Sequence, residues 1–328
     1  MIQRVRTKFY TGRKPKTEPT FKEKREKGMR NYEKLTGFAD EIQQDLSIQI
    51  ESLKKLDMHY VEMRGVDGNN LIYHDDKKVD EIKRRLDDAG IALSALGSPL
   101  GKIGITDPFE KHFSEFQRAV EIAHKMGTRN IRMFSFYVPW ENRGSSEKDD
   151  VNAAKLPDGV KEEVLERLGK FVDYAKREDV VLLHENEKGI YGERAKECRE
   201  LFDALGCANF RGIFDFANFV QAKQDTLKAY ELLKNDISYV HVKDAIWETG
   251  KVVPAGFGDG NVKEILTRMF GNGFQGFLSL EPHLFDFDGF AGLERGNAKL
   301  PPMEEGKKLG GFEAFSLARE ALLNLEVF

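Results

Sequence analysis

Three observations predict an α/β fold, a (β/α)8 TIM barrel carrying a basic N-terminal extension. From Leu35 onward, short apolar runs rich in β-branched and aromatic residues alternate with amphipathic stretches, the rhythm of βα units and a parallel sheet. Eight runs of each kind follow one another in strict alternation, which suits a closed barrel better than a doubly wound sheet. Neither G-x-G-x-x-G after the first strand nor G-x-x-x-x-G-K-[ST] occurs, so a nucleotide-binding sheet has no support.

The strands are expected near 36–41, 60–65, 91–97, 130–136, 180–186, 211–217, 237–243 and 276–282. Helices are expected at 46–57, 78–89, 110–126, 161–177, 193–205, 225–234, 261–271 and 312–325. Phe113, Phe116, Val120 and Ala123 illustrate the helical spacing, since together they line one face. Gly90, Gly127 and Gly206 close three helices and suit the left-handed position that follows a last turn. The Gly-rich run GFGDG at 256–260 predicts a tight turn, with anion binding by its backbone amides as the alternative.

Two connections are long, 138–160 and 284–310, and both follow strands, so both hang over the mouth of a barrel. Trp140, Trp247, Phe285 and Phe287 either shield a substrate there or pack the loops themselves.

At 328 residues, with 40% hydrophobic and 32% charged residues, the chain is expected to be globular and soluble. No stretch approaches the roughly 20 apolar residues of a membrane span, and no N-terminal run resembles a secretory segment, so a cytoplasmic location is expected and no membrane partner. Cys198 and Cys207, outside any C-x-x-C motif, are expected to be ordinary thiols.

The net charge of −4 hides an asymmetry: residues 1–34 hold 12 Lys and Arg against 4 acids, leaving 39 against 51 in residues 35–328. We divide the chain there into a basic extension, 1–34, and a barrel, 35–328. The extension reads as an exposed arm or a contact to a neighbouring subunit, a possible homo-oligomer, with binding to an anionic surface or nucleic acid as the alternative. Met29 also offers an alternative start of translation.

Function is carried by four strand-like runs, each with one polar residue at its end: VVLLHEN with Glu185, FRGIFDFAN with Asp215, ISYVHVKD with His241 and GFLSLEPH with Glu281. In a parallel barrel such ends surround one mouth. Several buried carboxylates together are costly unless a cation or protons neutralise them, and three oxygens with one imidazole suit a divalent metal.

With Glu62 in YVEMRG, Glu185 in LLHEN, Asp215 in IFDFAN, His241 in YVHVKDA, the segment Pro254 to Gly260 and Glu281 in LSLEPH, the chain over 35–328 resembles the xylose isomerase-like TIM barrels, which include sugar isomerases, epimerases and endonuclease IV. The resemblance implies one divalent ion, Mn2+ first and Mg2+, Co2+ or Zn2+ after it, held by Glu185, Asp215, His241 and Glu281. It further implies that Glu185 and Glu281 are the catalytic pair moving a proton on a sugar or polyol substrate. An inosose dehydratase-like lyase shares the metal and the first half of that mechanism; a non-catalytic sugar-binding barrel is the third reading.

The sequence also departs from the family pattern. Epimerase-like members have a His three residues after the sixth-strand Asp, where this chain has Asn218, and often an Arg two residues after the seventh-strand His, where it has Lys243. Substrate recognition therefore differs. The seven His of the chain are too few and wrongly placed for a three-zinc cluster, so no nucleic acid is expected as a partner.

Six residues are candidates for substrate contact, each with a competing reading. Glu62 either contacts substrate or orients a ligand, with an ion pair to Arg64 or Arg132 as the competitor. Lys243 either holds an oxyanion or anionic group or pairs with Asp244. Arg132 either binds an anionic group or pairs with a neighbouring carboxylate. His184 is a substrate contact or a buried structural residue; His283 lies on the face of Glu281 if the strand continues; Asn218 replaces the expected His. Asp40 and Glu41 on the first strand are similarly divided.

Overall fold

Alternation of side chains along each apolar run is what lets the sheet close. One set fills the barrel and the other meets the helices. In the computed structural model, which describes residues 32–141, 154–284 and 310–328, the barrel strands are β1 (Leu35–Gly37), β2 (Tyr60–Met63), β3 (Ala92–Leu96), β4 (Asn130–Met133), β5 (Val181–Glu185), β6 (Phe210–Asp215), β7 (Ile237–Val242) and β8 (Phe277–Leu280). Their ladders are all parallel and run in the order β1-β8-β7-β6-β5-β4-β3-β2. β1 and β2 lie against each other to bring the barrel nearly to closure, and Tyr32–Phe328 form one unit.

The helices of the described residues are α1 (Leu46–Lys55), α2 (Asp76–Ala89), α3 (Phe109–Met126), α4 (Val160–Arg177), α5 (Ala195–Leu205), α6 (Phe216–Gln221), α7 (Thr226–Leu233), α8 (Val262–Gly271) and α9 (Gly311–Leu323). Asp45, Asp75 and Asp225 start α1, α2 and α7 by accepting backbone amides of the first turn, the usual service of an N-cap carboxylate. The i, i+3, i+7 residues Val79, Ile82 and Leu86 of α2 are buried. Between α3 and α4, Phe171 packs against Phe109, Phe113, Phe116 and Phe136.

Three expectations change. The first strand stops at Gly37, and Ala39–Glu41 form a 3-10 turn, because Asp40 and Glu41 turn to partners across the mouth instead of continuing the ladder. Gly90 and Gly127 take the left-handed cap, with φ of 70° and 76°, but Gly206 has φ −58°. Glycine is needed at 206 for close approach instead, since a Cβ there would lie 2.3 Å from the Phe202 carbonyl oxygen. Helix α6 was not anticipated; six residues give too little periodicity to read. Phe285 and Phe287, most of the connection 284–310, part of 138–160 and all but the last three residues of the extension 1–34 lie outside the described residues.

On the mouth side, the connections after β3, β4 and β5 are knitted by backbone hydrogen bonds. Phe134 N donates to Leu100 O (2.8 Å), Phe136 N to Gly101 O (3.0 Å), Tyr137 N to Ile103 O (2.9 Å) and Tyr191 N to Phe136 O (3.1 Å). The fit requires φ of +63° at Phe136 and +86° at Gly101, where a Cβ would meet the Phe134 oxygen at 2.0 Å. Trp140 packs within this wall, its Nε1 donating to Ile190 O, whereas Trp247 is partly exposed beneath Lys223.

Candidate active site

The period of two decides which residues face the barrel axis. Ala95, Leu183, Ile213 and Tyr239 form one inward layer. Two residues further along β5, β6 and β7, the same faces present Glu185, Asp215 and His241; on β8 the inward residue Ser279 is followed by Glu281 just past the strand. Register brings Asp215 opposite His241 and His241 opposite Ser279.

His241 Nδ1 lies 3.1 Å from Glu185 Oε1, 3.6 Å from Glu281 Oε2 and 4.0 Å from Asp215 Oδ2. One ligand atom from each of the four residues falls within 4.8 Å of the others, and all four side chains are buried. Asp215 divides its carboxylate. Oδ1 caps α6 by accepting Asn218 N at 2.7 Å, which leaves Oδ2 turned to the cluster. Asn186 fixes the same strand end, its side chain bonding both the N–H and the C=O of Asp215.

Arg132 is spent on its surroundings, donating to Glu185 Oε2 (3.2 Å) and to the carbonyls of Gly97 and Ser98, so it orients that carboxylate and has little left for an anionic group. Lys243 reaches into the cluster, 2.8 Å from Glu281 Oε2 and 3.2 Å from Asp215 Oδ2. Asp244, the alternative partner, is occupied elsewhere: the amides of Gly256, Gly258, Gly260 and Ala245 donate to that carboxylate at 2.8–3.0 Å. GFGDG is thus an anion cradle whose anion belongs to the chain, and a Cβ at Gly258 or Gly260 would collide with Asp244.

His283 stands within the site, its Nε2 at 3.4 Å from both Glu281 Oε1 and Glu41 Oε1, while Glu41 also accepts its backbone N–H. Asn218 Nδ2 touches Glu185 Oε1 at 3.3 Å. One expectation is corrected: His184, a candidate for substrate contact, points out of the barrel, 3.0 Å from Ser135 Oγ and against Phe202 and Phe210, as its odd register on β5 requires. For Glu62 the competing ion pair with Arg64 or Arg132 falls away, since it lies beneath His241 while those arginines pair with Asp40 and Glu185.

Arg64 went unnoticed as a site residue. It pairs with Asp40 (2.8 Å), Glu41 (3.4 Å) and Glu281 (3.3 Å), and it packs on the face of Phe38. Its spacing two residues beyond Glu62 was the available signal, since it implies the same face.

Among the described residues at this mouth, the six buried carboxylates of Asp40, Glu41, Glu62, Glu185, Asp215 and Glu281 stand beside three buried permanent cations, Arg64, Arg132 and Lys243. The deficit shows in the proton affinities. Burial pushes Asp215 up to about 7, with Lys243 opposing and Glu281 and Glu185 adding to the rise. Burial likewise raises Glu41. For Glu185 burial is outweighed by His241 and Arg132, leaving it at about 2, and for Glu281 by Lys243 and His283, leaving it well below the usual range. Burial disfavours the charge on His241 and His283, but Glu185 and Glu62 lift His241 well above its ordinary value and Glu41 lifts His283 to about 9.

A divalent ion fits this set. Asp215 Oδ2 and His241 Nδ1 are fully buried with no aligned hydrogen bond, both face the same point, and the protons that offset the surplus of carboxylates are ones an ion would displace. Glu185, Asp215, His241 and Glu281 are the residues that would hold it.

A family model described as xylose isomerase-like TIM barrel matches residues 50–300. No curated protein matches the sequence significantly. Among solved structures, the probable 3-DHS dehydratase AsbF of Bacillus anthracis is similar with a TM-score of 0.59 at 16% identity, covering 76% of this chain and 92% of its own. The 3-keto-D-glucoside 4-epimerase YcjR of E. coli gives 0.61 at 14%, covering 89% and 98%. A xylose isomerase-like TIM barrel protein of Mycobacterium smegmatis, in complex with magnesium, gives 0.58 at 15%, covering 86% and 89%. At these identities the likeness is one of fold.

Proposed function

The chain belongs to the xylose isomerase-like TIM barrel family, and on that premise we propose that it is a divalent-metal-dependent isomerase or epimerase of a sugar or polyol-derived carbonyl compound. The observation that carries this reading is the convergence of Glu185, Asp215, His241 and Glu281 at the barrel mouth, with ligand atoms within 4.8 Å of one another. Carboxylate-rich donors favour Mn2+, with Mg2+, Co2+ or Zn2+ as alternatives. When bound, such an ion polarises a carbonyl and offsets the charge of an enediolate.

The residues supply the remaining steps. Glu185 on β5 and Glu281 beyond β8 approach the centre from different strands, so in this reading one removes the proton beside the carbonyl and the other delivers a proton drawn from solvent. Arg132 and Arg64 hold those two carboxylates in fixed orientations. Lys243, beside Glu281 and Asp215, is placed to bind the substrate oxygen on which charge develops. Return of the proton to the same carbon gives an epimer, and return to the neighbouring carbon gives an aldose–ketose isomer. The same reading places the protein in carbohydrate metabolism in the cytoplasm.

Loss of water from the enediolate, a lyase reaction, is the second reading. One observation favours it: His283, backed by Glu41, adds a proton-bearing group on the Glu281 side, suited to protonating a departing hydroxyl. Keto sugars and inososes incubated with the Mn2+ form in deuterated water separate the two. Deuterium uptake without loss of water supports isomerisation or epimerisation; a new ultraviolet-absorbing enone supports dehydration. Near-normal exchange in Glu281→Gln would sink the role given to Glu281.

A further inference from the structure

Glu62 is a buried acid in the barrel interior, and no Lys or Arg among the described residues forms an ion pair with it. Among the described residues, the one ion-pairing group within 4.0 Å of it is His241. Such a carboxylate costs several kcal/mol unless its lone pairs are served. They are served here: Oε2 accepts the Ser279 hydroxyl at 2.6 Å and the Tyr239 hydroxyl at 2.9 Å, and it lies 3.1 Å from His241 Nε2. Tyr239 and Ser279 sit two residues before His241 and Glu281, so the layer that supports Glu62 lies directly beneath the layer that carries the ligands. The layer is tied further into the barrel, since Ser94 Oγ contacts both Tyr239 (2.9 Å) and Thr36 Oγ1 (2.8 Å).

We propose that Glu62 is a positioning residue for the metal centre, whose carboxylate pins Nε2–H of His241 and so commits Nδ1 to the ion. Ser279 and Tyr239 aim the carboxylate, and the carboxylate selects the imidazole tautomer and strengthens its donor nitrogen. The register shift in the β2–β3 ladder, where Ser94 is passed over between Val61 and Glu62, is part of the device, since it sets Glu62 opposite Ala95 instead of Ser94. The inference rests on the metal-centre reading above. It adds a residue that touches neither ion nor substrate.

The test titrates metal-free protein with Mn2+ or Co2+ alone. Glu62→Gln, nearly isosteric, is expected to weaken binding by about 10–100-fold and to change the visible spectrum of the Co2+ form. Tyr239→Phe, which removes one donor from Glu62, is expected to shift affinity in the same direction by a smaller factor. A purely structural role would lower the thermal midpoint of either variant without moving affinity or spectrum. Folded Glu62→Gln with wild-type affinity and spectrum overturns the proposal, as does unchanged Tyr239→Phe should Glu62→Gln not fold. Failure of the wild type to bind either ion instead overturns the metal-centre reading, and this inference with it.

Discussion

Asp244 and Glu281 are both buried carboxylates at the same end of the barrel, yet they are stabilised by opposite means. Asp244 is surrounded by four backbone amides of its own loop, fixed dipoles that cannot leave. Glu281 is surrounded by Lys243, Arg64 and His283, side chains that carry charge. An acid held by amides organises the chain; an acid held by cations can exchange one for another, a metal ion or a substrate proton included. The contrast separates structural from chemical acids more sharply than burial does, since both are buried.

The largest expected effect tests the chemical member. Glu281→Gln should reduce solvent deuterium exchange into substrate by about 10³-fold or more, as ligand and proton carrier are lost together. Denaturant unfolding should show a much smaller change.

The structural member should show the reverse. Asp244→Ala strands several amides and should cost about 2–4 kcal/mol in urea unfolding, with Mn2+ affinity near that of the wild type; Asp244→Asn, which keeps an acceptor, should cost less. Parallel loss of metal binding in Asp244→Ala would erase the distinction.

Exchangeability has a pH signature. Asp215 is raised to about 7 and His241 well above its usual value, so both hold protons that an ion must displace. Calorimetric affinity for Mn2+ should therefore fall about tenfold or more for each pH unit below 7, and binding should release protons to the buffer. Above pH 7 the dependence on Asp215 should vanish.

The smallest effect concerns His184, buried among rings with neither cations nor an amide cradle. Burial lowers it to about 4, so between pH 6.5 and 4 the unfolded chain binds more protons than the folded one. Its contribution is present above pH 6.5 and lost as pH falls towards 4. Urea unfolding should show a loss of about 2 kcal/mol between pH 7 and pH 5 that His184→Gln reduces.

Much of this was legible in sequence because a strand has a simple code. Polar residues interrupting apolar runs mark strand ends, and the period of two assigns Glu185, Asp215 and His241 to one face while it sends His184 to the other. What could not be read depends on which strand lies beside which and at what height. Arg64 meets Asp40, Glu41 and Glu281 only because β1 separates β2 from β8 in the barrel. Lys243 turned from its sequence neighbour to Glu281 because the GFGDG loop, more than ten residues away, had already claimed Asp244.

The divided carboxylate of Asp215 bears on how variants of this protein should be interpreted. One of its oxygens begins a helix and the other faces Glu185, His241 and Glu281, so replacement by alanine confounds two losses and an inactive product would say little. Asparagine preserves the capping oxygen while removing the charge. Asp215→Asn beside Asp215→Ala therefore forms a subtraction experiment, in which the difference between the two measures local folding and the residue common to both measures chemistry.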